Sequence, residues 1–198
     1  MSRALRLAKP AVFAVSLLPL VWVAWLAVAG GLGANPIEAL NRFLGDWALR
    51  FLLVALAVTP VRRLTGWAAV GRLRRMLGLF AFFYAVLHVS SYVGLDQFFD
   101  WQAIGKDILK RHYITVGMAA LTLLVPLAAT STQSMIRRVG GRNWRRLHRA
   151  VYVITPLAVV HFWMMVKADH SRPLVYGVVA ALLLAVRLPR FLGPAGRT

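Results

Sequence analysis

His88, in Ala85-Val-Leu-His-Val, and His161, in Ala158-Val-Val-His-Phe, are the residues of this chain best placed to do chemistry. An ionisable side chain deep in an apolar run is costly, so it counts first as a functional candidate. The chain contains no cysteine. That excludes a disulfide framework, cysteine-held iron–sulfur clusters, a covalently attached c-type haem and a thiol nucleophile. It leaves histidine, methionine or oxygen donors for any metal. With two deep nitrogens and no carboxylate within the membrane, zinc or copper is a poor fit.

Spacing ties the two histidines together. His88 follows Arg75 by thirteen residues, and His161 follows His148 by the same interval. At 1.5 Å per residue that rise is about 20 Å. On two helices leaving the same membrane face, the imidazoles then share one depth in the outer half. Two neutral imidazoles so placed suit the axial positions of a b-type haem standing between helices. The competing reading is a pair of histidines hydrogen-bonded across helix interfaces.

His148, in Asn143-Trp-Arg-Arg-Leu-His-Arg, marks the inner entrance of the His161 helix. Its counterpart on the other helix is Arg74 or Arg75, and thirteen residues at about 100° each set His148 and His161 on different faces, unless Pro156 alters the phase. Three assignments stand for it: ligand to a second haem with an atypical partner, contact to a flavin or quinone, or no cofactor role. Arg74, Arg75, Arg145 and Arg146 suit haem propionates or a flavin phosphate, and equally suit charges that only record topology. His112 and His170 read as interfacial residues. Phe80, Phe82, Phe83 and Tyr84 could line a porphyrin or simply pack helices. The seven tryptophans fit interfacial belts or packing. No GxGxxG or Walker A motif offers a site for NAD(P) or ATP.

Composition indicates what must hold these side chains. Of 198 residues, 60% are hydrophobic and only 15% charged, yet the net charge is +18. A mean hydropathy of +0.66 excludes the polar, basic nucleic-acid binder that the charge alone would suggest. The pattern predicts an all-α integral membrane protein: a six-helix bundle forming one domain over 1–198. The spans lie at about 10–30, 43–61, 76–95, 112–132, 149–167 and 173–189, with short loops and no convincing internal repeat. Those around 43–61, which contains Arg50, and 173–189, with an uncharged stretch of only fourteen residues, are the weakest; Arg50 and Arg187 are expected to snorkel toward the interfaces, which keeps both as spans. The first apolar run mimics a signal peptide but lacks a small-residue cleavage site, and reads as a retained helix. Pro19, Pro126 and Pro156 fall inside spans, which membrane helices tolerate. With six spans, four segments share one side and carry 17 of the 24 basic residues, among them Arg3, Arg6, Arg190 and Arg197. All six acids fall in the opposite loops, so the positive-inside rule places both termini in the cytoplasm.

The run Arg74-Arg-Met-Leu-Gly-Leu-Phe-Ala-Phe-Phe-Tyr-Ala-Val-Leu-His88, with Trp144-Arg-Arg-Leu-His148-Arg-Ala-Val-Tyr and His161, resembles the MsrQ (YedZ) family. These are haem-binding membrane subunits of bacterial periplasmic methionine sulfoxide reductase systems, similar to the transmembrane part of ferric reductases and NADPH oxidases. In that superfamily the third and fifth helices each typically carry two histidines; here the third has His88 alone, which is expected for MsrQ. The superfamily's cytosolic flavin and NADPH domain is missing. The resemblance implies an electron conduit in the bacterial inner membrane. Electrons come from the quinone pool or a cytoplasmic flavin reductase, pass through one or two b haems and FMN, and leave for the molybdenum-containing subunit MsrP. His88 and His161 are then axial ligands and His148 a second-site ligand, in an electron-transfer subunit that does not itself reduce methionine sulfoxide. The alternatives are a cytochrome b serving another acceptor such as ferric iron, or a small transporter or assembly factor with structural histidines.

Overall fold

The structure, a computed structural model, describes residues 3–187, with side chains from residue 8 onward. The side chains of Arg3 and Arg6, together with Arg190, Arg197 and the predicted end of the last span at Pro189, lie outside the described residues. The described residues form helices and turns without a strand: α1 (Arg3–Val28), α2 (Pro36–Thr65), α3 (Arg74–Ser91), α4 (Trp101–Lys110), α5 (His112–Ala129), α6 (Gln133–Val139), α7 (Gly141–Leu147), α8 (Val151–Met165) and α9 (Ser171–Ala185). The all-α class expected from the sequence holds. Five helical segments are long and apolar enough to cross a membrane: Ala8–Val28, Pro36–Thr65, Arg74–Asp96, His112–Ala129 and Gly141–Met165. Against the six spans expected, α9 is a shorter apolar helix.

Local chemistry accounts for two departures from the expected boundaries. α2 starts seven residues before the predicted 43 because Asn35 caps it, accepting from the Glu38 N–H at 3.3 Å, with Pro36 in the first turn. It runs on to Gly66, whose φ of 67° only glycine adopts without cost. Glu38 therefore sits on a helix instead of in an outer loop, and Asp46 lies about two turns further along it. Each pairs one turn on, with Arg42 and Arg50. The connection after α3 is likewise no simple loop. A π-turn over Tyr92–Asp96 leads through Phe98 and Phe99, both at positive φ, into amphipathic α4. Asp100 caps α4 by accepting from the N–H groups of Gln102 and Ala103 at 3.0 Å, and Tyr92 donates to Asp107 at 3.0 Å.

Two helix pairs carry the bundle. α2 packs most extensively on α3, and α5 on α8, while contact between the pairs is sparser. The first pair holds an aromatic core. Tyr84, fully buried, stacks on Phe51 at 5.3 Å and meets Phe83 edge-on at 5.4 Å, and Phe51 stacks on Phe80 at 5.5 Å. Phe80 and Tyr84 thus serve the packing of α1, α2 and α3. α1 is fastened by the ring of Phe13 on Phe80 and by the Tyr84 hydroxyl, which donates to the Ser16 carbonyl at 2.9 Å. Its other face, with Val15, Leu18, Val21, Trp22 and Trp25, is exposed apolar surface suited to lipid.

α9 runs beside α2 in the same direction. Arg172 reaches Asp46 at 4.0 Å, the Arg50 Nε donates to the Tyr176 hydroxyl at 2.8 Å, Arg187 reaches Thr59 at 2.9 Å, and Arg63 donates to the Val186 carbonyl at 3.1 Å. Tyr84→Phe, which removes the hydroxyl and its hydrogen bonds to the α1 backbone at Ser16 and Leu20, should lower stability by about 1 kcal/mol. Tyr84→Ala, which empties the aromatic core, should cost about 3–5 kcal/mol. Thermal unfolding in detergent measures both, and equal losses would contradict this division.

Candidate functional site

His88 lies on α3 and His161 on α8, the inward faces of the two helix pairs. Their ring centroids are 6.1 Å apart with planes inclined at 75°. Each ring is anchored by the partner helix of its own pair. The Nδ1 of His88 lies 2.9 Å from the Asn41 carbonyl of α2, and the Nδ1 of His161 lies 2.7 Å from the Tyr113 carbonyl of α5. A carbonyl only accepts, so in the neutral ring Nδ1 carries the proton and Nε2 presents a lone pair. A hydrogen bond of this kind, from the ring nitrogen that faces away from the metal, orients metal-ligating histidines. Asn41 is itself held, its side-chain amide donating to the His88 carbonyl at 3.0 Å and to Ser91 at 2.9 Å.

A helical carbonyl is normally occupied by the N–H four residues on and screened by that residue's Cβ, which leans back over the preceding turn. Here the residue four on is glycine both times. A Cβ on Gly45 would stand 3.2 Å from the His88 ring, and one on Gly117 would stand 2.8 Å from the His161 Nδ1. The two glycines uncover the second lone pairs of Asn41 and Tyr113 and let each ring lie against the helix. The two halves are thus built alike: carbonyl, glycine one turn later, and a histidine 47 or 48 residues beyond the carbonyl. Sequence reasoning missed both glycines and this local duplication. A glycine followed after closely matched intervals by a buried histidine was the only signal.

A metal–imidazole bond is about 2 Å long, and a ring centroid lies about 1 Å behind the bonding nitrogen. Two imidazoles on opposite sides of one metal therefore have centroids about 6 Å apart. The observed spacing and the two unengaged Nε2 atoms fit a bis-histidine haem, with the sparse seam between the pairs as its slot. Among the described residues no group of three or more His, Asp or Glu could hold a different metal.

The remaining candidates lie elsewhere. His148 opens a 3-10 turn, His148–Ala150, between α7 and α8. Its ring stacks on Trp144 at 3.9 Å, with Nδ1 3.1 Å from the Trp144 carbonyl. The Leu127 carbonyl and the Arg74 guanidinium are its other polar neighbours, and no second imidazole faces it among the described residues. Arg74 donates to Thr59 at 3.4 Å. Arg75, Arg145 and Arg146 are exposed, with no hydrogen bond to a described side chain. His112 starts α5 exposed, and His170 packs on Trp163 at 4.8 Å.

These features define a multi-pass helical membrane protein with two facing imidazoles at its central seam. Residues 44–159 match the family of the ferric reductase like transmembrane component. Three curated relatives cover most of the chain, and each is named protein-methionine-sulfoxide reductase heme-binding subunit MsrQ. The Rhodospirillum rubrum protein is 62% identical over 92% of this chain and 88% of its own length. The Caulobacter vibrioides protein is 53% identical over 86% and 81%, and that of Herminiimonas arsenicoxydans 50% over 93% and 85%. The chain belongs to the MsrQ family within the ferric reductase-like transmembrane proteins.

Gly117→Ala drives a methyl into the His161 ring and should destabilise the protein by about 1–3 kcal/mol. Gly45→Ala, with its looser contact, should cost less. Thermal unfolding ranks the two, and the opposite order would refute the cradle geometry.

Proposed function

We propose that this chain is the b-type haem subunit of a periplasmic methionine sulfoxide reductase system, with His88 and His161 as the axial ligands. The observation that carries the reading is the pair of imidazoles 6.1 Å apart, each with Nδ1 on a backbone carbonyl, which leaves Nε2 as the nitrogen with the lone pair. Haem bound there supplies reversible one-electron chemistry. The chain's part is to hold both rings in one tautomer and orientation, and to keep the seam apolar and dry. His148, at the inner end of α8 with Arg74 beside it, is the candidate ligand for a second haem. FMN is a further cofactor on this reading. Electrons enter on the cytoplasmic side from quinol or a flavin reductase and leave on the periplasmic side for MsrP, which performs the reduction.

The same reading takes α9 as the sixth span and places both termini in the cytoplasm of an inner-membrane protein. The side-by-side run of α2 and α9 from Asp46–Arg172 to Arg63–Val186 supports it, because α9 then covers most of the depth that α2 crosses.

Purified protein should show a Soret band that shifts on reduction and a pyridine haemochrome of b type. His88→Ala and His161→Ala should each lose most haem and abolish quinol-linked activity of the co-expressed molybdenum subunit. Full haem in both variants overturns the ligand assignment, whereas loss of haem with activity intact overturns the partner. For the topology, alkaline phosphatase fused after Thr198 should be inactive, and an active fusion would remove α9 as a span.

A further inference from the structure

Pro60 lies inside α2 and has no N–H, so the Leu56 carbonyl one turn earlier loses its helical partner. Arg187, just beyond α9, takes that place, donating to Leu56 and also to the Thr59 hydroxyl at 2.9 Å. Arg187 is only 6% exposed, and its Nε is buried without an acceptor among the described residues. Two more guanidiniums join it at the rim. Arg74 donates to the same Thr59 hydroxyl at 3.4 Å, and Arg63 donates to the Val186 carbonyl at 3.1 Å. The Tyr152 hydroxyl is also in contact with Arg187.

Each acceptor in this cluster is neutral. The six acidic side chains of the chain are Glu38, Asp46, Asp96, Asp100, Asp107 and Asp169, and among the described residues none pairs with Arg63, Arg74 or Arg187. Three cations drawn together, one of them buried, without a counter-charge make an unbalanced arrangement. Topology alone explains basic residues exposed at this end of the bundle; it does not explain a guanidinium buried with a spare donor.

We propose that Arg187, Arg63 and Arg74, with the hydroxyls of Thr59 and Tyr152, form a phosphate-binding site at the inner end of α2, α3 and α9. Guanidiniums from three directions, together with two hydroxyls, suit a tetrahedral dianion better than a planar carboxylate, which a single arginine fork satisfies. The phosphate comes from a phospholipid headgroup of the inner leaflet or from a soluble phosphate ester. The site is separate from the His88–His161 seam and does not depend on the haem assignment.

The test uses delipidated, full-length protein in neutral detergent. FMN and riboflavin, read by flavin fluorescence quenching, differ only in the phosphate. Native mass spectrometry with phosphatidic acid against phosphatidylcholine reads the lipid source. The site should retain FMN over riboflavin, or phosphatidic acid over phosphatidylcholine, and inorganic phosphate should compete. Arg63→Gln at the exposed rim should weaken the retained probe by about tenfold, with Arg187→Gln weaker still. The Soret spectrum should not change, which shows that the variants remain folded. The proposal fails if riboflavin binds as well as FMN while lipids do not discriminate, or if Arg63→Gln binds like the parent. It also fails if Arg187→Gln loses haem in place of the probe, because the anion is then a porphyrin propionate.

Discussion

The bond from a histidine Nδ1 to a helical backbone carbonyl is the interaction on which this bundle is organised. In an apolar interior an unsatisfied imidazole N–H is expensive, and a helix offers few acceptors because its carbonyls are already engaged. The second lone pairs of Asn41 and Tyr113 become accessible only because Gly45 and Gly117 follow one turn later. Each glycine requires close approach within its pair, α2 on α3 and α5 on α8, and these are the most intimate packings in the molecule. The seam between the pairs can stay sparse because neither histidine depends on the opposite pair for its hydrogen bond.

How much of this was legible in the sequence depended on whether the signal was periodic or singular. Apolar runs and the distribution of arginines gave the helices and their order, since both average over many residues. The thirteen-residue intervals put His88 and His161 at one height, and their rings lie 6.1 Å apart. The glycines were not legible, because a glycine in a membrane helix has many uses and only a three-dimensional approach reveals this one. α4 was invisible for another reason: ten residues with a polar face look like a loop until Asp100 is seen capping them. Glu38 was assigned to an outer loop because the cap at Asn35 was not recognised as the start of α2.

The charge of +18 divides the same way. On the proposed topology most arginines mark one face of the membrane, and their exposed side chains need no further account. Arg50 and Arg187 behave differently. Both were expected to snorkel toward an interface, yet each is bound by a neighbouring helix: Arg50 by Tyr176 of α9, with Asp46 one turn back on its own helix, and Arg187 by Leu56 and Thr59 of α2. They are the polar contacts that fasten α9 to α2, at two levels more than one helical turn apart. The residues that made these two segments the weakest candidates from sequence are thus the ones that join them.

α1 is fastened to the α2–α3 pair, whereas α9 joins the two halves, bonded to α2 through its polar groups and packed on α8 through Phe162 and Tyr176. Tyr84 ties α1 through Ser16, and the arginines tie α9 to α2; α5 and α8 have no comparable aromatic core. A planar cofactor gripped from both sides needs two walls, each rigid alone but weakly joined to the other. Strong packing across the seam would close the slot, and loose packing within a pair would let a ring rotate away from its carbonyl. Rigidity within the pairs and economy between them therefore belong to one design: on the proposed reading they let a haem enter between the imidazoles, each already oriented by its carbonyl.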